Sequence, residues 1–147
     1  MQKNDIYEIE ITGMTDEGDG VGRINGFAVF VPYTIIGETV RIILIKVLKN
    51  YAVGKLIEVI IPSKSRTKSA CADFYKCGGC KLWHMSYEEE LLFKKKKVFD
   101  CLKRIGGFDN INIDDVVPSS KISRYRNKSQ FPVTPEGIGM YAVHSQI

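Results

Sequence analysis

Residues Arg23-Ile24-Asn25-Gly26-Phe27-Ala28-Val29-Phe30-Val31 decide the fold. An Asn-Gly pair between apolar runs is the strongest short-range signal for a two-residue β-hairpin, because both turn positions need positive φ and these residues adopt it most cheaply. Pro32 closes the second strand. Upstream, Tyr7, Ile9 and Ile11 alternate with Glu8 and Glu10, the period of a half-buried strand. Downstream, Thr39 to Leu48 and Tyr51 to Ile61 are two longer β-branched runs joined near Lys49-Asn50. Five short strands within roughly 60 residues predict a small closed antiparallel barrel of OB type. The Gly-rich stretch Gly18-Asp19-Gly20-Val21-Gly22 between the first two strands invites comparison with a phosphate loop. It lacks the required lysine spacing and no helix comes after it, so it reads as a β-turn.

The character of the chain changes after Ile61. Residues 63–70 are polar, basic and aperiodic and read as a linker after a barrel spanning 1–62. A cysteine loop occupies 71–80. Ser86 and Glu89 then form a capping box opening a helix over about 87–105, whose apolar stripe is Leu91, Leu92, Val98, Phe99, Leu102 and Ile105. Glu90 and Lys94 make an i,i+4 pair, and Gly106-Gly107 stops the helix. Tyr125 to Val133 alternates, Pro135-Glu136-Gly137 makes a turn and Ile138 to Val143 reads as the returning strand, a β-hairpin over about 124–143. The fold class is therefore mainly β with α, and 71–147 reads as the start of an incomplete α+β central domain.

Cys71, Cys77 and Cys80 form a C-x5-C-G-G-C cluster holding three of the four cysteines. Thiolates bind zinc or iron–sulfur clusters, and the Gly-Gly pair permits a tight turn with amides aimed at sulfur. Spacing alone leaves both metals open. It also leaves the fourth ligand open among His84, Cys101 and a residue past Ile147. Cys101 falls with Val98 and Ile105 on one helical face and reads as a half-buried core thiol; His84 reads as a surface or capping residue.

The overall charge is mild but uneven. Residues 1–62 carry six Lys/Arg against eight Asp/Glu, and residues 63–147 carry fifteen against nine. A basic surplus around the cysteines suits a polyanionic partner. Lys64, Arg66 and Lys68, then Lys76 and Lys81, then Arg124, Arg126 and Lys128 are the candidate contacts to nucleic-acid phosphates, with Lys121 beside the last set. Phe74, Tyr75, Trp83 and Tyr125 are interleaved with them, offering faces on which bases stack. Alternation from Arg124 places Arg126 and Lys128 on the same strand face. Lys94 to Lys97 read as a solvated helix face. No run of 18 or more apolar residues and no apolar leader occur, which leads us to expect a cytoplasmic protein. No acid/base dyad, nucleophile triad or cofactor-binding glycine fingerprint is present, so no catalytic or cofactor-binding residue is named.

The ordered parts carry a family resemblance. Gly18-Asp19-Gly20-Val21-Gly22-Arg23, Phe30-Val31-Pro32-Tyr33 and Gly37-Glu38-Thr39-Val40 resemble the TRAM domain. C-x5-C-G-G-C with Lys81-Leu82-Trp83-His84, Arg104-Ile105-Gly106-Gly107-Phe108 and Tyr125-Arg126-Asn127-Lys128-Ser129-Gln130-Phe131 resemble the region C-terminal to TRAM in bacterial RNA (uracil-5-)-methyltransferases acting on 23S ribosomal RNA. The resemblance implies a TRAM barrel, a central domain with a [4Fe-4S] cluster held by Cys71, Cys77, Cys80 and a fourth cysteine past Ile147, and a separate S-adenosylmethionine domain. It further implies that a cysteine of that domain attacks C6 of a flipped-out uracil, whose C5 takes the methyl group. On this reading the 147 residues are the RNA-binding front of the enzyme and are inactive alone. The competing reading is a stand-alone zinc- and RNA-binding module. Radical S-adenosylmethionine methylthiotransferases also carry TRAM, but with C-x3-C-x2-C and at the opposite end.

Overall fold

A computed structural model describes residues 1–143. It consists of two compact units, Met1–Lys68 and Ser69–Ile147. The first is a closed barrel of β1 (Ile6–Met14), β2 (Gly20–Ile24), β3 (Phe27–Val31), β4 (Thr39–Val47) and β5 (Tyr51–Ile61), joined in the order β1-β2-β3-β5-β4. The Asn-Gly turn lies where expected. Asn25 and Gly26 have φ of 49° and 83°, and the pair Ile24–Phe27 closes the hairpin.

One strand pair departs from the antiparallel expectation, since β3 runs parallel to β5. Five strands cannot close with every neighbour antiparallel, because alternation around an odd ring brings two strands of the same sense together. The crossover through β4 supplies that pair. β1 is long enough to serve two neighbours, pairing β4 over Ile6–Glu10 and β2 over Ile11–Met14, with a bulge between Ile11 and Gly13 where it bends. Ile9, Ile11, Val29, Val31, Val40, Ile42, Leu44 and Ala52 point inward and are buried, while Glu8 and Glu10 face out.

The glycines of β2 are packing requirements. A Cβ at Gly22 would lie 2.7 Å from Ile9 Cδ1 and 2.8 Å from the Glu10 carbonyl oxygen, and one at Gly20 would meet Thr34 Oγ1. The Gly-rich stretch therefore extends into a strand and lets β1 approach closely.

Residues just past β5 are fixed to the barrel. Glu38 is fully buried. Its carboxylate accepts hydrogen bonds from the Ile35 amide (2.9 Å), the Ser63 amide (3.2 Å), Arg66 Nε (2.5 Å) and Arg66 Nη2 (2.7 Å). Arg66 Nη2 also donates to the Tyr33 carbonyl at 2.8 Å. Burial pushes the Glu38 carboxyl up, but the hydrogen bonds from Arg66 and the two amides, with the Arg66 charge, hold it below the ordinary carboxylate value.

The second unit contains α1 (Tyr87–Arg104) and a minimal pair, β6 (Val133–Thr134) with β7 (Gly137–Ile138). Ser86 caps α1 by accepting from the Glu89 amide at 3.3 Å, and Lys94 Nζ reaches Glu90 at 2.5 Å. Three expectations need correction. The 124–143 hairpin shrinks to four paired residues: 125–132 take no regular structure, Arg124 has φ of 54° and Pro132 lacks an amide proton. The returning segment instead pairs with the cysteine loop. Cys77 bridges Ala142, the Gly78 amide donates to the Tyr141 carbonyl and the Val143 amide donates to the Lys76 carbonyl, both at 2.9 Å. Finally, no residue of α1 is buried: Leu92 and Val98 are about half exposed or more, and Cys101 is exposed, not a half-buried core thiol. Residues 144–147 of the expected C-terminal region lie outside the described residues.

Candidate functional site

The cysteine loop is a series of tight turns. The amides of Lys76 and Cys77 both donate to the Asp73 carbonyl, and the Phe74 amide donates to the Cys71 carbonyl. This buries Phe74, which stacks on fully buried His84 with centroids 6.0 Å apart and meets Tyr75 edge-on. His84 is therefore a core residue of this unit, with Met85 beside it, and not a surface or capping group.

Cys71 and Cys80 are exposed and Cys77 is half-buried. Burial pushes the Cys80 thiol up, and the neighbouring Cys77 and Cys71 push the same way, against the nearby Arg126 cation. The Gly79 amide donates to Cys77 Sγ at 3.4 Å, the amide-to-sulfur contact that the Gly-Gly turn was expected to allow. A Cβ at Gly78 would meet the Tyr141 carbonyl at 3.1 Å, and one at Gly79 would meet Met140 Cε at 2.9 Å. Gly78 is the tighter requirement, because its neighbour is backbone of the 141–143 segment, whereas the Met140 methyl beside Gly79 can swing away. The donor chemistry suits a thiolate-bound metal, but among the described residues no three of His, Cys, Asp and Glu are gathered closely enough to hold an ion.

The candidate RNA contacts separate into distinct places. Arg66 is committed to Glu38, with its side chain only 14% exposed. Lys64 and Lys68 belong to the barrel unit and Lys76 to the cysteine loop. Arg124, Arg126 and Lys128 do not share a strand face, because no strand forms there. Lys81 and Arg126 do come together, in a groove of about 560 Å³ that Cys80 also lines. Lys94 and Lys121 add two more cations, and Trp83, Tyr87 and Tyr125 supply aromatic surface. Glu90 is the one carboxylate among the described residues that line it.

Tyr87 and Lys94 were missed as site residues. Tyr87, Glu90 and Lys94 stand at i, i+3 and i+7 of α1, so helical spacing alone places them on one face. Hydrogen bonding to Glu90 raises the Lys94 ammonium above its ordinary value, against partial desolvation. Tyr87 Oη accepts the Ser119 amide at 2.8 Å, tying the opposite wall of the groove to the helix.

Three comparisons bear on this arrangement. Residues 2–57 match the TRAM domain family. The chain is 48% identical to an uncharacterized RNA methyltransferase of Clostridium tetani, over 99% of this chain and 32% of that protein. It is 46% identical to another of Clostridium acetobutylicum, over 90% of this chain and 29% of that protein. Among solved structures it resembles the Pyrococcus abyssi tRNA (uracil-54, C5)-methyltransferase in complex with S-adenosyl-L-homocysteine, at 33% identity and a TM-score of 0.59, covering 90% of this chain and 28% of that one. The chain thus spans about a third of the length of the curated relatives it matches. Residues 2–57, which lie within the five-stranded barrel, match the TRAM domain family, and the chain that carries them is similar to proteins named RNA methyltransferases.

Proposed function

We propose that the chain is the RNA-binding portion of an S-adenosylmethionine-dependent enzyme that forms 5-methyluridine in 23S ribosomal RNA. The likeness to a uracil-C5 methyltransferase carries the reading, because it runs over 90% of the chain and so covers both the barrel and the cysteine unit. The cation-lined groove beside Cys80 supports RNA as the partner. Methyl transfer belongs to the whole protein, and the 147 residues alone bind RNA without transferring methyl groups. S-adenosylmethionine would supply the methyl group in that whole protein.

Cys71, Cys77 and Cys80 are assigned to a [4Fe-4S] cluster, whose fourth ligand is a cysteine past Ile147. Support comes from three cysteines within one ten-residue loop and from the Gly79 amide on Cys77 Sγ. Lys64, Lys68, Lys76, Lys81, Arg124, Arg126 and Lys128 remain the proposed phosphate contacts, without Arg66. Among the described residues no helix is long and apolar enough to cross a membrane, and we place the protein in the cytoplasm.

A second reading, transfer RNA as the substrate, is favoured by one observation: the solved neighbour acts on tRNA. One experiment tests both. The whole protein, purified anaerobically, is incubated with labelled S-adenosylmethionine and transcripts of 23S ribosomal RNA or tRNA, and nucleosides are analysed by mass spectrometry. 5-Methyluridine in ribosomal transcripts supports the proposal, and in tRNA alone it supports the second reading. Its absence from both, or methylation by the 147-residue chain alone, contradicts the assignment.

A further inference from the structure

The groove beside Cys80 has features that phosphate binding does not require. Trp83, 39% exposed, and Tyr125, 62% exposed, both present ring surface to it. Lys81, Lys121 and Arg126 line the same space. Its volume, about 560 Å³, falls in the range of roughly 300–1,000 Å³ typical of small-ligand pockets. Two of its lining residues are tied to each other: the Ser119 amide donates to Tyr87 Oη at 2.8 Å.

We infer that this groove is a stacking site for unpaired bases of single-stranded RNA, with Trp83 and Tyr125 as the stacking surfaces and Lys121 and Arg126 on the phosphates. The inference rests on the RNA-binding reading above and adds where, and in what form, the RNA is held. Exposed aromatic faces favour unpaired bases, because in a duplex both faces of each base are already stacked. An acidic peptide would use the cations but leave the aromatic faces without a partner.

Trp83 is the only tryptophan in the chain, so its emission reports on this groove alone. Unlabelled oligouridylate titrated into the full 147-residue chain should quench Trp83 saturably, with the dissociation constant obtained independently from the anisotropy of fluorescein-labelled oligouridylate. Tyr125→Ala, at an exposed position, should weaken binding roughly five-fold or more, and Tyr125→Phe should restore it. Lys121→Ala with Arg126→Ala should flatten the dependence of log K on log salt by about 1.4, as expected for two lost phosphate contacts on a single strand. Circular dichroism confirms that each variant is folded. Anisotropy that reports binding while Trp83 emission stays constant, or a Tyr125→Ala variant that binds like the parent, overturns the groove assignment but leaves RNA binding standing. No binding in either assay overturns both. Equal quenching by oligoglutamate overturns the nucleic-acid assignment of the groove.

Discussion

Replacing Arg66 by alanine should cripple the barrel without any direct effect on RNA. Glu38 is fully buried and accepts four hydrogen bonds, two of them from Arg66, whose side chain is 14% exposed. Arg66→Ala leaves a buried carboxylate with only the Ile35 and Ser63 amides. Breaking one side of a buried pair costs about 3–5 kcal/mol. The surviving amides and the partial exposure of Arg66 put the value near the lower end, about 3 kcal/mol, a large share of the roughly 5–15 kcal/mol that stabilises a typical domain. Glu38→Gln with Arg66→Met should recover much of the loss, since neither change leaves a buried charge. Urea unfolding must be followed by circular dichroism of the barrel, because Trp83 lies in the other unit. A loss below about 1 kcal/mol, the range of exposed ion pairs, would refute the reasoning. The pH dependence gives a second check. The Glu38 carboxyl is held below its ordinary value in the folded state, so its contribution is complete above the ordinary carboxylate range. It is lost as the pH falls through the lower folded-state value, and Glu38→Gln should flatten that acid limb.

Gly22→Ala should destabilise the barrel by about 1–3 kcal/mol in the same unfolding assay, because the added methyl meets the Glu10 carbonyl and the buried Ile9. Gly78→Ala should loosen the bridge to 141–143, seen as faster hydrogen exchange at the Gly78 and Val143 amides while α1 amides stay unchanged. Cys77→Ser in the anaerobically purified whole protein should abolish bound iron and sulfide and the associated visible absorption. Stoichiometric zinc without iron in the parent would instead favour the stand-alone zinc module.

The barrel was legible because its signals are local. Asn25-Gly26 specifies a turn whose φ values only a few residues tolerate, and the Ile9–Ile11 alternation specifies which face is buried. That one pair of neighbours is parallel follows from the odd strand count once closure is assumed, but that it is β3 with β5 does not. Arg66 looked like one basic residue among several, since nothing local shows that Glu38, 28 positions earlier, is buried beneath it. The second unit was read less well for the same reason. Alternation over Tyr125 to Val133 suggested a strand, yet a strand needs a partner, and 140–143 pairs with the cysteine loop instead. The groove depends on Trp83, Tyr87 and Tyr125 converging from three separate segments, of which only the α1 face has a sequence period.

The proposed methylation of C5 of uridine in 23S ribosomal RNA by the protein carrying this chain is most directly tested in cells. Ribosomal RNA and tRNA from cells with and without the protein can be digested and mapped by mass spectrometry for 5-methyluridine. A specific 5-methyluridine in 23S ribosomal RNA should disappear with the protein and return when it is restored. An unchanged 5-methyluridine map in 23S ribosomal RNA would contradict the proposed activity.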